Sequence, residues 1–86
     1  MKLYEDSNFE IIRNSRDYIL IRKKCDYSFH SHFRKLSGCK YIISMFNKKL
    51  IPHKKYFRES MRRITTVEEF ERFTEKKVKE KYRNGR

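Results

Sequence analysis

The chain has 86 residues, which is the length of one small domain, so neither a second domain nor a deep substrate cavity is expected. Seven Phe and six Tyr make intrinsic disorder unexpected, because disordered chains are poor in aromatic residues. Lys and Arg number 23 against 11 Asp and Glu, so the net charge is +12, which exceeds the charge of about 2–8 that solubility requires. Residues 1–86 are thus expected to form a single domain, with a basic end that can fray from about residue 77.

A charge of this sign points to an anionic partner, which means a phosphate backbone, an acidic protein face or an anionic membrane. The membrane is disfavoured, because no exposed apolar face accompanies the basic residues and no apolar run has the length of a membrane span. A signal peptide is not expected, because Glu5 and Asp6 make the start of the chain acidic before any apolar run. The two cysteines are too few for a disulfide framework. The expected compartment is the cytoplasm.

The first predicted element is a β-hairpin. Phe9–Arg13 and Tyr18–Arg22 are rich in β-branched and aromatic residues, and residues 14–17 between them are mostly the turn formers Asn, Ser and Asp. The second run is apolar on both faces, which predicts that it is the better covered strand.

Residues 26–33 continue with an alternating pattern. The aromatic side consists of Tyr27, Phe29 and Phe33, and the polar side of Ser28, His30 and His32. The pattern fits either a short third strand or a loop that its aromatic side chains hold in place.

The period then changes to that of a helix. Apolar residues recur at helical spacing from Cys39 to Leu50, which predicts a helix with one buried stripe and with Ser37 as its N-cap. Pro52 prevents this helix from continuing, and a second helix is predicted over about residues 53–63.

A third helix is predicted to begin at a capping box. Thr66 with Glu69 fits this motif, and so does Thr65 with Glu68. Acidic residues lie early and basic residues late in the segment, an order that complements the helix dipole, so the helix is expected to run to about Tyr82.

Together these elements predict an α+β fold, in which an N-terminal antiparallel hairpin, with the third strand as an option, packs on three helices. The helical part of the core is expected to consist of Cys39, Ile43, Phe46, Phe57, Met61, Ile64, Phe70 and Phe73.

Seven basic residues in and beside the second helix are the candidate nucleic-acid-binding residues. They are Lys48, Lys49, Lys54, Lys55, Arg58, Arg62 and Arg63. At about 100° per residue, Lys55, Arg58 and Arg62 form a stripe that points away from the buried Phe57. A helix-turn-helix DNA reader would show the same features, although ordinary helical hairpins look alike and no Gly marks the turn. The stripe fits a nucleic-acid surface, a surface for an acidic protein or a solvated face, and lysines from Lys76 onwards can add phosphate contacts.

Three tyrosines, Tyr41, Tyr56 and Tyr82, lie beside basic residues. An exposed ring in such a place can stack on an unpaired base, which contributes about 1–3 kcal/mol. The alternative is that the rings complete the core, which the small size of the domain favours.

A zinc site is a further hypothesis. Cys25, His30, His32 and Cys39 supply suitable ligands, but they match no familiar zinc spacing, and Cys39 also fits the buried stripe. Catalysis by the histidines would need nearby acids, and Asp26 is the sole carboxylate in residues 25–49. We therefore expect no metal, no cofactor and no catalytic residue.

An ordered set of short motifs adds a resemblance. The chain has HSHF at residues 30–33, KYII at 40–43, IP at 51–52 and YFRESMRRI at 56–64. Over about residues 18–73 this set resembles a group of short proteins from phages and mobile elements of Gram-positive bacteria, whose pattern reads GHTHI, KYLI, IP and YLLxSLxRIS.

The chain departs from that pattern at three places: Phe29 replaces a Gly, Arg58 interrupts an apolar pair, and an extra Arg stands at position 62 or 63. The positions that match are His30, His32, Tyr56, Ser60, Arg63 and Ile64. The resemblance implies a small accessory protein of a mobile element in a bacterial cell, a class that often regulates transcription or disables a host defence system.

The leading hypothesis is therefore a non-catalytic protein that binds DNA or RNA. The first alternative is an anti-defence inhibitor, of the anti-CRISPR type, that binds an acidic face of a host nuclease or nucleoprotein effector. The second alternative is a zinc-stabilised module. Strandedness, sequence preference and oligomeric state stay open at this point.

Overall fold

A computed structural model describes residues 1–23 and 29–76 of the chain. In chain order, the elements of these residues are β1 (Lys2–Glu5), β2 (Phe9–Arg13), β3 (Tyr18–Arg22), β4 (His30–Phe33), α1 (Leu36–Asn47), β5 (Leu50–Ile51), α2 (Lys55–Arg63), α3 (Val67–Arg72) and β6 (Thr74–Glu75). β1 to β4 form an antiparallel sheet in that order, and the helices pack on it. The predicted α+β class is confirmed.

The predicted hairpin is the centre of the sheet. β2 and β3 pair in register from Phe9 with Arg22 to Arg13 with Tyr18. The side chain of Asn14 accepts hydrogen bonds from the backbone N–H groups of Arg16 and Asp17, both at 2.8 Å, and this local bonding is what makes Asn a turn former.

Of the two outer strands of the sheet, β1 was not predicted from the sequence, and β4 was predicted only as one of two alternatives. β1 was not predicted, because it is a short edge strand of two apolar residues between two charged ones, without an alternating pattern and mostly exposed. For residues 30–33 the strand alternative holds: β4 pairs with β3, with Phe33 in the core and His32 exposed. Residues 26–28 of the predicted alternation lie outside the described residues.

The bounds of the first two helices differ from the prediction. The N-cap of α1 is Lys35, without a side-chain hydrogen bond, so the assignment of Ser37 as N-cap was wrong and Ser37 lies within the first turn. The helix ends at Asn47, because Lys49 adopts a left-handed backbone (φ 58°) and Leu50 belongs to β5. α2 begins at Lys55, two residues later than predicted.

The third helix is shorter than predicted. The capping box of Thr66 and Glu69 is confirmed, whereas the Thr65 hydroxyl donates to the carbonyl of Met61 instead. The extension to Tyr82 was wrong, because α3 ends at Arg72 and the next residues form β6, which pairs in parallel with β5. Pairing with a distant strand overrides the helical pattern, and residues 77–82 lie outside the described part of the chain.

The core lies between the inner face of the sheet and the helices. Its buried apolar residues are Phe9, Ile11, Leu20, Phe33, Cys39, Ile42, Ile43, Met45, Ile51, Met61 and Ile64. Of the predicted set, Cys39, Ile43, Met61 and Ile64 are buried as expected. The four predicted phenylalanines, Phe46, Phe57, Phe70 and Phe73, are partly buried and form the rim of the core.

One close approach joins the sheet to α1. A Cβ atom at Gly38 would lie 2.8 Å from Cδ2 of Phe33, closer than non-bonded carbon atoms come. The ring cannot easily retreat, because it is buried and packs against the rings of Tyr56 and Phe57. Position 38 therefore requires a residue without a side chain.

We expect Gly38→Ala to lower the free energy of unfolding by about 1–2 kcal/mol. Alanine gains about 1 kcal/mol in helix propensity, but overpacking a rigid core site commonly costs 1–3 kcal/mol. The control is Ser37→Ala, which changes an exposed neighbour and should alter stability by less than about 0.5 kcal/mol. Urea denaturation measures both, and a Gly38→Ala protein more stable than the wild type would contradict the prediction.

A buried ion pair ties the sheet to α3. The guanidinium of Arg22, whose residue is 6% exposed, donates to both carboxylate oxygens of Glu69 at 2.8 and 2.6 Å. It also donates to the carbonyl of Ile64 at 3.1 Å and lies 4.6 Å from the ring centre of Phe46. Glu69 in turn accepts from the N–H of Thr66, so one carboxylate serves the ion pair and the helix cap together.

This pair makes stability depend on pH. Hydrogen bonding from Arg22 lowers the pKa of Glu69 from 4.5 to about 2, against the opposing effect of burial. A carboxyl whose pKa falls on folding stabilises the folded state above its unfolded pKa, and that stabilisation is lost as pH falls through the folded pKa. The contribution of Glu69 is therefore complete above about pH 4.5 and disappears towards pH 2.

We expect Glu69→Gln to lower the free energy of unfolding at neutral pH by about 3 kcal/mol, the low end for breaking a buried ion pair, because Gln still fits the capping box. Glu68→Gln is the matched control, since it removes an exposed carboxylate from the same helical turn. Urea denaturation at a series of pH values should show the deficit of Glu69→Gln shrinking below pH 4.5. A deficit that stays constant down to pH 2, or one shared by Glu68→Gln, would contradict the assignment.

Candidate nucleic-acid interface

Four exposed lysines, Lys48, Lys49, Lys54 and Lys55, flank and fill the connection between α1 and α2, and are called the connection lysines below. The connection runs over residues 48–54 and contains β5, which pairs with β6. A DNA-reading helix-turn-helix has a turn of about three or four residues. The helix-turn-helix interpretation of this region is therefore not supported by the geometry.

Two arginines of the predicted stripe, Arg58 and Arg62, contact the ring of Phe70 in α3, although Arg62 stays exposed. Arg58 donates a hydrogen bond to Glu75 and holds the pKa of that carboxyl below its ordinary value. The guanidinium carbon of Arg62 lies 4.5 Å from the ring centre of Phe70, and its Nε lies 3.9 Å from a carboxylate oxygen of Glu59. The stripe exists, but Arg58 and Arg62 are already engaged within the chain.

The opposite side of α2 faces β4 and carries Tyr56 and Arg63. These residues are seven positions apart, so they lie on the same face of the helix. The Tyr56 hydroxyl donates to the backbone carbonyl of His32 at 3.2 Å, although the residue is 53% exposed. Arg63 is exposed, and no carboxylate pairs with it among the described residues.

A groove of about 440 Å³, called the edge groove, lies between β4 and the end of α2. It is lined by Phe29, His30, Ser31, His32, Arg62, Arg63 and Thr65. Ser31 is 1% exposed, and its hydroxyl has no hydrogen-bond partner within the described chain. A buried hydroxyl without a partner is unusual in a folded protein, but this one is closed to any molecule in the groove. The exposed polar residues of the lining are His32, Arg62 and Arg63, and the two arginines suit an anion.

The two histidines of the edge groove lie side by side. Their ring centres are 5.2 Å apart, edge to face, and Nδ1 of His32 lies 3.0 Å from a carboxylate oxygen of Asp17 in the β2–β3 turn. Asp17 therefore holds the ring of His32, although this residue is exposed.

A second, apolar groove of about 290 Å³ adjoins Tyr56 and is called the aromatic groove. It is lined by Phe33, Arg34, Lys35, Ser37, Gly38, Tyr56 and Phe57. The Tyr56 ring packs edge-on against Phe33 and Phe57, with centre distances of 6.0 and 5.1 Å. Arg34 and Lys35 are exposed at its border, so an aromatic surface and basic side chains occur together here.

The other two tyrosines of the stacking hypothesis differ from Tyr56. Tyr41 is half-buried, with its ring 4.8 Å from Phe57 and the Lys76 ammonium 5.8 Å from its centre, so it belongs to the rim of the core. Tyr82 lies outside the described residues, as do the lysines after Lys76.

The positions that carry the resemblance come together in the fold. His30, His32 and Arg63 line the edge groove, and Tyr56 stands beside it. Ser60 is buried between Tyr56 and Arg63 and donates to the Tyr56 carbonyl, whereas Ile64 belongs to the core. The motifs at residues 30–33 and 56–64 thus build one face of the molecule.

The sequence analysis missed Ser31, Asp17 and the pair of Arg34 and Lys35. The only signal for Ser31 was its place between two histidines in an alternating segment, which predicts that it points inward with Phe33. Its lack of a partner depends on the packing of α2 against β4, which the pattern does not contain.

Burial separates one member of the proposed zinc set from the others. Cys39 is fully buried in α1, and burial raises the pKa of its thiol to about 11. Zinc binds the thiolate, so this side chain is poorly suited as a ligand at neutral pH. Cys25 lies outside the described residues, and no group of three or more potential ligands occurs within them.

Comparisons with protein-family models, with curated proteins and with solved structures gave no match. In the part of the chain that the structure describes, every helix is too short or too polar to cross a bilayer.

We expect treatment with excess EDTA, followed by buffer exchange, to leave the melting temperature unchanged. The reason is that the buried Cys39 remains a neutral thiol at pH 7, whereas a structural zinc site would couple metal loss to unfolding. Thermal denaturation followed by circular dichroism measures this. A lower melting temperature that added zinc restores would contradict the prediction.

Proposed function

We propose that this chain is a small, non-catalytic nucleic-acid-binding protein, an accessory or regulatory protein of a phage or mobile element that acts in the cytoplasm of a bacterial host. The observation that carries the proposal is the distribution of charge. The acidic groups are largely used within the fold, whereas the connection lysines and Arg63 are exposed without a carboxylate partner among the described residues.

The ion pairs explain how this imbalance arises. Glu5, Glu69 and Glu75 bind Lys23, Arg22 and Arg58 respectively, and Glu5 also binds Lys2. In residues 48–63 the sole acid, Glu59, lies nearest to Arg62. A surface whose positive charge is not neutralised internally attracts phosphate groups and releases their counterions on binding.

The main alternative is an anti-defence inhibitor whose basic surface binds an acidic face of a host nuclease or nucleoprotein effector. The same exposed lysines support it, since a carboxylate-rich surface attracts them as a phosphate backbone does. The two proposals differ in their response to free nucleic acid. The inhibitor should bind free DNA and RNA weakly and without preference, and one protein complex tightly.

We expect Lys54→Gln/Lys55→Gln to weaken nucleic-acid binding and to reduce the slope of log K against log salt by about 0.9 for each phosphate contact removed. The control is Arg72→Glu, which lowers the net charge of +12 by the same two units. Phe70 of α3 packs under Arg58 and Arg62, and Arg72 lies about 200° around α3 from it. Arg72 is therefore on the side of α3 that points away from these two arginines. Fluorescence anisotropy with labelled duplex DNA, single-stranded DNA and RNA at 50 and 200 mM salt measures both.

Equal losses in the double variant and in Arg72→Glu would show that net charge alone attracts the nucleic acid, and would contradict a defined surface. Absence of binding to all three probes at 50 mM salt would overturn the proposed function and leave the inhibitor alternative.

A further inference from the structure

We propose that the face formed by β4 and α2 binds single-stranded nucleic acid, with a phosphate in the edge groove and an unpaired base against the ring of Tyr56. This inference rests on the proposed function and narrows it from nucleic acid in general to an unpaired strand. It assigns the binding to His32, Tyr56 and Arg63 rather than to the stripe of Arg58 and Arg62.

The edge groove has the donors that a phosphate requires. Arg63 presents an exposed guanidinium, whose planar set of N–H groups matches phosphate oxygens. His32 is exposed and lines the same groove with its imidazole.

The backbone of β4 adds another donor. In an antiparallel strand, the N–H and C=O groups of one residue point to the same edge. The carbonyl of His32 points to α2, because it accepts the hydrogen bond of the Tyr56 hydroxyl. The N–H of His32 therefore faces the same side, where His32 lines the edge groove.

Negative charge also lies near the edge groove and opposes the binding of an anion there. The C-terminal end of α2 carries a partial negative charge, Asp17 contacts His32, and Glu59 lies 3.9 Å from Arg62. Arg62 and Arg63, in the last turn of α2, offset the helix dipole. That role accounts for two arginines at the helix end, but it does not account for the exposed ring of Tyr56 on the same helix face as Arg63.

The Tyr56 ring is a fixed and accessible surface for a base. It is held by its hydroxyl at His32 and by edge contacts with Phe33 and Phe57, yet about half of the residue is exposed. A ring that is already immobile loses little entropy when a base stacks on it. Arg34 and Lys35 border the aromatic groove and supply the charge that holds a strand nearby.

The base-stacking half of the site, at Tyr56, and the phosphate-binding half, at Arg63, are spaced along α2 so that a single nucleic-acid strand can contact both. Tyr56 and Arg63 lie on the same helix face and are about 10.5 Å apart along its axis, at 1.5 Å per residue. Duplex DNA would not satisfy both halves, because its bases are stacked on each other and present no free face to a tyrosine.

The decisive variant is Arg63→Gln. Because the guanidinium is exposed and has no carboxylate partner among the described residues, we expect its removal to leave the melting temperature unchanged, while affinity for a single-stranded oligonucleotide falls about 3- to 10-fold, the equivalent of one hydrogen bond. Arg72→Gln removes the same charge from the exposed end of α3 and is the control, which should lose less affinity. Anisotropy with labelled oligo(dT) and oligo(U), and thermal denaturation of each variant, give the two readouts.

Tyr56 and Arg63 test the halves separately. Tyr56→Ala should weaken binding to oligo(dT) and oligo(U) by about 5- to 150-fold, the range for loss of one stacked base, whereas Tyr56→Phe keeps the ring and should retain most of the affinity. Arg63→Gln should reduce the salt slope by about 0.9. Arg63 is exposed, so this variant remains informative even if Tyr56→Ala fails to fold.

Several results would overturn the inference. Duplex bound as tightly as oligo(dT) at equal salt would contradict an unpaired strand, and wild-type affinity in Arg63→Gln would contradict the edge groove. If Arg63→Gln and Tyr56→Ala bind normally while Lys54→Gln/Lys55→Gln binds weakly, the proposed function stands and this inference fails. If the wild type binds no probe, both fail.

Discussion

The buried ion pair between Arg22 and Glu69 is the constraint on which the rest of the arrangement depends. One guanidinium joins the central strand β3 to the N-terminal turn of α3 and to the last carbonyl beyond α2, at Ile64. Buried ion pairs often add no more stability than apolar residues of equal volume. The importance of the Arg22–Glu69 pair is therefore that it orients α3 relative to the sheet. Because α3 is fixed in this way, Phe70 lies under Arg58 and Arg62, and the chain leaves α3 in position to place β6 beside β5.

That arrangement determines where the positive charge of the protein can be used. A small domain with a net charge of +12 repels itself, and internal ion pairs reduce the repulsion where strands and helices meet. The described carboxylates at positions 5, 69 and 75 are used in this way, at the sheet edge and around α3. The connection lysines and Arg63 are among the basic residues that remain exposed without a carboxylate partner in the described chain. The ion pairs of the fold therefore decide which basic side chains stay available to the proposed interface.

The sequence predicts those features that are local. The hairpin follows from two β-rich runs around Asn14, the capping box from Thr66 and Glu69, and the helical core from apolar spacing. It does not predict the end of α3, because β5 and β6 are two-residue strands whose pairing depends on distant parts of the chain. For the same reason the helical wheel does not predict that Arg58 and Arg62 contact Phe70: it gives the angle of a side chain around its own helix but not the neighbouring residues of other elements. The unpartnered Ser31 hydroxyl is likewise a property of the packed structure and has no sequence signature.

The candidate site arises where an edge strand is only partly covered. The outer edge of β4 would expose backbone groups that invite pairing with another chain, a liability that folded proteins normally block. α2 covers this edge with the Tyr56 hydroxyl on the His32 carbonyl, but the N–H of the same residue receives no such cover from the described residues. Arginines at the end of α2 place positive charge beside the gap, which opposes the approach of basic copies of the same chain and favours an anion. The geometry that leaves the sheet edge incomplete is therefore the geometry on which the proposed phosphate site rests.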